Sequence, residues 1–81
     1  METQLLTDAV FAFLFAALGA VGATFAGAMA ISRLASSAME SIARQPEAAN
    51  DIRGTTIITA AMIEGVTLLA LVICFLISFK G

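Results

Sequence analysis

The chain of 81 residues has no histidine, no tryptophan and no tyrosine. Without histidine, metal sites and catalysis built on imidazole are excluded. The missing Trp and Tyr argue against a small transporter, which usually holds its substrate with aromatic side chains. One cysteine, Cys74, rules out a disulfide framework. Deep in an apolar stretch, it reads as a small hydrophobic residue. One proline, Pro46, leaves a single strong break in the chain. Charge is sparse, at four Lys and Arg against six Asp and Glu. The basic residues form no cluster, so nucleic acid is not an expected partner. No metal motif, nucleotide motif or low-complexity linker is present, and no cofactor is expected.

What remains is apolar. Hydrophobic residues make up 60% of the chain and the mean hydropathy is +1.02, well above a soluble domain. A chain this short cannot bury that much apolar surface in its own core. A bilayer must supply the apolar surroundings, together with copies of the same chain. The start, Met1-Glu2-Thr3-Gln4, lacks the positive region of a signal peptide. The first apolar run is also too long for a signal core, so this segment is expected to be retained.

Two charge-poor segments flank a polar stretch. The first runs from Ala9 to Ser32 without a charge, and the second from Gly54 to Phe79 with only Glu64. Each is long enough to cross about 30 Å of hydrocarbon as a helix. Between them, Arg33 to Arg53 is compatible with helix except at Gln45-Pro46, because proline disfavours helix at the residue before it. Glu47 follows where a helix dipole favours a negative charge, and Glu40 and Arg44 form an i,i+4 pair. The expectation is an all-α transmembrane hairpin, multi-pass and forming a single unit. Helix one spans about 8–43, the turn about 44–46 and helix two about 47–79. Arg33, Arg44 and Arg53 lie in or beside the connection, while the termini offer Glu2, Asp8 and Lys80. By the positive-inside rule the turn is cytoplasmic and both termini lie outside. Arg33 reads as an anchor that snorkels to the interface. The sharper alternative pairs it with Glu40.

Glu64 is the most informative residue. Nothing cationic adjoins it in Ala60-Ala61-Met62-Ile63-Glu64-Gly65-Val66. It lies about 15 Å along the helix from Gly54, near mid-bilayer. An ionisable group there is costly and marks a functional site. Lipid disfavours the anion, so the carboxyl is held protonated while it faces lipid, and a protonatable acid at this depth points to ion transport. If the helices pair about a turn centred between Gln45 and Pro46, Gly27 stands beside Glu64 and Ala28 continues the small surface.

Helix one is built from small residues. From Ala16 to Ala38, 16 of 23 residues are Gly, Ala, Ser or Thr. One row holds Ala20, Thr24, Ala28, Ser32 and Ser36, and a second holds Gly19, Ala23 and Gly27. Such rows permit close helix contact in membranes. Small residues over most of the circumference call for neighbours on more than one side, as the inner helices of a ring require. Leu18, Val21, Phe25 and Met29 form one large ridge. Helix two instead carries Leu68, Leu69, Leu71, Val72, Ile73, Phe75, Leu76 and Ile77, which suit lipid. A two-helix monomer, the plainer reading, would not need so much small surface.

The small-residue helix around Gly19 to Ser36, the turn Ala43-Arg44-Gln45-Pro46-Glu47 and the acid Glu64 twenty residues after Arg44 together resemble the c subunit (proteolipid) of rotary ATP synthases. The resemblance covers essentially the whole chain. It implies a homo-oligomeric ring in a bacterial inner (plasma) membrane, with Glu64 as proton carrier. Arg44, Gln45 and Pro46 would grip the central stalk subunits gamma and epsilon. A stator a subunit would bring an essential arginine to the ionised acid, and nucleotide chemistry would occur elsewhere in the complex, so this chain is not itself an enzyme. Several glycines usual in helix one of the family are alanine or serine here. Relatives that carry sodium place a glutamine on helix one and a Ser-Thr pair directly after the acid. Here those positions hold Ile31, Gly65 and Val66. Thr67, the Met62 carbonyl and Thr24 are the remaining nearby oxygens, too few for a hard cation, so protons are expected and no metal. Thr67 is expected to bond to its own helix backbone. Two other classes remain as alternatives: a structural or holin-like pore-forming hairpin, and a small ion-coupled transporter subunit.

Overall fold

The computed structural model describes residues 1–79, and Lys80, one of the charges weighed for orientation, lies outside them. Helix α1 spans Glu2–Arg44, a short 3-10 turn spans Pro46–Ala48, and helix α2 spans Ala49–Ser78. The two helices lie antiparallel in a hairpin 67 Å long and 15 Å wide. Both are long and apolar enough to cross a membrane. Helix α1 begins at Glu2, earlier than the expected start near residue 8. Thr7 and Gln4 assist the added turn: the Thr7 hydroxyl donates to the Thr3 carbonyl at 2.9 Å, and the Gln4 amide donates to Asp8 at 3.1 Å.

The reversal follows from the Gln-Pro pair. Gln45 leaves the helix at φ −133° and ψ 70°, outside the α region that a following proline disfavours. Its N–H still donates to the Ser41 carbonyl at 2.9 Å, and its own carbonyl accepts from Ala48 N–H at 2.9 Å. Pro46 opens the 3-10 turn, where its missing N–H costs nothing. No residue in the reversal needs positive φ among the described residues, so the turn forms without glycine. Glu40 and Arg44 approach to 3.9 Å on an exposed surface. Such a pair is worth only about 0.3–0.5 kcal/mol. The alternative pairing of Arg33 with Glu40 is not formed.

Helix packing repeats every eleven residues. The buried residues of α1 are Ala16, Gly27 and Ala38. Facing them, α2 offers the half-buried sets Ile52, Ile63, Cys74 and Thr56, Thr67, Ser78, spaced alike. An eleven-residue repeat corresponds to about 3.67 residues per turn, close to the 3.6 of a straight helix. The contact seam therefore stays nearly parallel to the helix axes over the whole length. Small residues on the seam let the backbones approach. A Cβ added at Gly27 would lie 2.5 Å from Thr67 Oγ1 and 3.2 Å from its Cγ2, and one added at Gly19 would lie 2.9 Å from Cys74 Sγ.

These contacts correct the register. Gly27 faces Thr67 rather than Glu64. The expected pairing has the chain reversing between Gln45 and Pro46. The 3-10 turn carries the reversal through Ala48, which moves its centre to about Glu47 and slides the helices by nearly one turn.

Candidate functional site

With Gly27 opposite Thr67, the residue level with Glu64 is Ala30. Gly27 and Ala28 lie roughly 3–5 Å further from the turn. Ala30 is a neighbour that sequence reasoning missed. No signal in the sequence gives it, because the register depends on how many residues the reversal consumes.

Glu64 does not point into the seam. Ile63 and Thr67 take that side, and Glu64 stands exposed on a flank of the hairpin. Among the described residues it has no ion pair and no hydrogen bond. Met62 and Val66 are each about 200° round the helix from Glu64. They line a shallow groove on the opposite flank, together with Ala26, Gly27, Ala30, Thr59 and Thr67. The hairpin thus carries a projecting carboxyl on one side and, at the same depth, an apolar groove floored by small residues on the other.

The nearby oxygens are few and mostly engaged. Thr24 donates its hydroxyl to the Ala20 carbonyl at 2.8 Å, and Thr59 donates to the Thr55 carbonyl at 2.9 Å. The same bond, expected for Thr67, is not formed. Its side chain lies against Gly27, and its hydroxyl has no hydrogen-bond partner among the described residues. The β-branched side chain is confined there by the close approach of α1. Ile31 is half-buried on the seam and brings no oxygen. The described residues contain no cluster of three or more acidic, Cys or His groups that could hold a metal.

The rest of the surface separates by character. Of the ridge on α1, Leu18, Val21 and Phe25 are each 67% exposed and face away from α2. The row Thr24, Ala28, Ser32 and Ser36 is also exposed, so it is left free for other contacts. On α2, Leu68, Leu69, Phe75 and Leu76 are open. Arg44, Gln45 and Pro46 are all exposed at the tip of the hairpin. Arg33 is exposed and has no ion-pair partner among the described residues.

Fold and site together define a helical-hairpin membrane protein with one acidic residue midway along its second span. The model of the ATP synthase c-subunit family matches residues 9–77, and the chain belongs to that family. It is similar to the ATP synthase c subunit of Bacteroides thetaiotaomicron, 55% identical over 64 residues covering 79% of this chain and 75% of that one. The ATP synthase c subunit of Phocaeicola vulgatus is 53% identical over 64 residues, covering 79% and 76%. That of Protochlamydia amoebophila is 44% identical over 78 residues, covering 96% and 72%. With bacterial relatives and two membrane-length apolar helices, it is a bacterial membrane protein and a component of the ATP synthase.

Proposed function

We propose that this chain is the proton-carrying rotor subunit of the ATP synthase membrane sector, with Glu64 as the carrier. The observation that supports this most directly is the position of Glu64. It is the one charged residue in a 26-residue stretch, exposed on the flank of the hairpin with no partner among the described residues. Whatever neutralises it comes from outside the hairpin, and a proton is the simplest such group. Several hairpins form a ring, with α1 inside and the large side chains of α2 toward lipid. Each Glu64 then lies against the groove of Met62, Val66, Ala26 and Ala30 on the next copy.

The cycle follows from the cost of charge in lipid. Facing lipid, Glu64 stays neutral, because an exposed anion would cost several kcal/mol. At the stator, a cation and water stabilise the carboxylate and the proton leaves. Protonation from the other half-channel returns the neutral acid and lets the ring move on. One charge crossing 100 mV supplies about 2.3 kcal/mol, so several protons are pooled for each product. A ring with one acid per hairpin does this mechanically. The chain performs no nucleotide chemistry. Arg33, Arg44 and Arg53 set the turn in the cytoplasm, where Arg44, Gln45 and Pro46 meet the central stalk.

The carried ion is a proton. Gly65, Val66 and Ile31 offer no side-chain oxygen, which leaves the Thr24 and Thr67 hydroxyls as the nearby side-chain oxygens besides Glu64, too few for a hard cation. The decisive assay is ATP synthesis in membrane vesicles given an imposed proton gradient in sodium-free buffer. Full synthesis is expected, with no gain on adding sodium. Synthesis that required sodium would contradict the assignment.

The turn carries a separate expectation. Gln45 makes its structural contacts through its backbone N–H and carbonyl, so Gln45→Ala leaves the hairpin intact. The ring should form in normal yield on a native gel while ATP hydrolysis becomes uncoupled from proton pumping. Loss of the ring would make the turn a folding element instead of a stalk contact.

A further inference from the structure

A second groove lies on the same flank as the one beside Val66, nearer the turn. Asp51 and Thr55 of α2 line it together with Ser37 and Ser41 of α1. Asp51 is exposed there and forms no ion pair among the described residues. Arg53 does not line this groove. Two residues on, it lies about 200° round the helix, on the flank that carries Glu64. Its one polar contact among the described residues is a 3.3 Å hydrogen bond to the exposed Asn50 side chain. Asp51 stands to Arg53 as Met62 stands to Glu64, eleven residues further along. On α2, therefore, the two flanks carry opposite charges at the cytoplasmic end, Asp51 beside the groove and Arg53 on the other side.

We propose that Arg53 of one copy seats in the hydroxyl-bearing groove of the next and pairs with its Asp51. The inference rests on the ring reading and adds the contact that sets how neighbours meet. Two parallel copies can bring flanks together in two ways. In a head-to-tail contact, the flank with Arg53 and Glu64 meets the flank with Asp51 and the two grooves. The paired residues then differ in height by only about 3 Å, within reach of the guanidinium. In a two-fold contact, Asp51 meets Asp51 or Arg53 meets Arg53, and like charges oppose. Only the head-to-tail contact repeats from copy to copy and closes into a ring. The charges thus favour the closed ring over an isolated dimer, and repulsion in the wrong pairing gives specificity. Ser37, Ser41 and Thr55 supply hydroxyls around the carboxylate, so the pair is not left with unmet polar groups.

The test uses the assembled complex in native membranes on a Cys74→Ser background, with ring formation checked by native mass spectrometry. A variant carrying both Asp51→Cys and Arg53→Cys is oxidised and run without reductant. A ladder of covalent multiples reaching the full ring is expected, while each single-cysteine variant stays monomeric. As a second readout, Asp51→Arg and Arg53→Asp should each lower the temperature at which the ring dissociates in detergent, and the double swap should recover most of that loss. An intact ring with no ladder and no recovery in the double swap overturns the pair and leaves the rotor reading standing. Strong dimers from either single-cysteine variant would show a two-fold contact and overturn it too. Absence of any ring from the unsubstituted chain would refute the rotor reading itself.

Discussion

Replacing Glu64 with glutamine is expected to abolish proton-driven ATP synthesis while the ring still assembles. Glutamine keeps the length and shape of the neutral acid, so lipid contacts and packing against a neighbour are preserved. It has no proton to give up near neutral pH and cannot become an anion at the stator. Every copy of the ring carries the change, so no unmodified path remains. Synthesis should fall to the level of uncoupled control membranes, and passive proton flow through the membrane sector should stop as well. Glu64→Asp should retain part of the activity, because the titratable group survives on a shorter arm. Normal synthesis by the glutamine variant would remove Glu64 from the mechanism.

The second large effect concerns Gly27. A Cβ added there would fall 2.5 Å from Thr67 Oγ1, 3.2 Å from Cγ2 and 3.4 Å from Cβ. Rotating Thr67 moves the first two atoms, and the third stands at ordinary contact distance, so a lone methyl can be accommodated, whereas the longer leucine side chain pushes the helices apart. For Gly27→Leu, overpacking costs about 1–3 kcal/mol in each hairpin and is repeated round the ring. The ring should fail to assemble on a native gel or assemble without proton-driven synthesis. Leu76→Ile, on an open face of α2, should be nearly silent in both assays. If Gly27→Leu assembles and works normally, α1 is not the close-packed wall and the ring built on its small residues is wrong.

Much of this architecture is legible in composition and spacing. Two charge-poor segments separated by Gln45-Pro46 specify a hairpin because a bilayer allows few other structures. The isolation of Glu64 marks it as the candidate site with no need of coordinates. The register was not legible, because it depends on how many residues the reversal consumes. Gln45-Pro46 fixes where α1 ends but not that Pro46 to Ala48 winds as a 3-10 turn. That difference moves Gly27 from Glu64 to Thr67 and brings Ala30 level with the acid. The direction of Glu64 also escaped the sequence. A lone acid on an apolar helix is equally compatible with the seam and with a flank. The choice is made by Ile63 and Thr67, which continue the eleven-residue seam and turn Glu64 outward.

The outward, unpartnered carboxyl is the centre of the account, and its protonation state in the membrane can be read chemically. A hydrophobic carbodiimide partitions into lipid and reacts with a protonated carboxylic acid. Membranes containing the assembled complex would be treated near neutral pH, with and without added sodium, and the adduct located by mass mapping of the chain. The account predicts an adduct at Glu64, little at Glu2, Glu40 or Glu47, slower reaction at alkaline pH and no protection by sodium. An adduct mainly on Glu40 or Glu47, or strong protection of Glu64 by sodium, would contradict a proton-carrying acid at membrane depth.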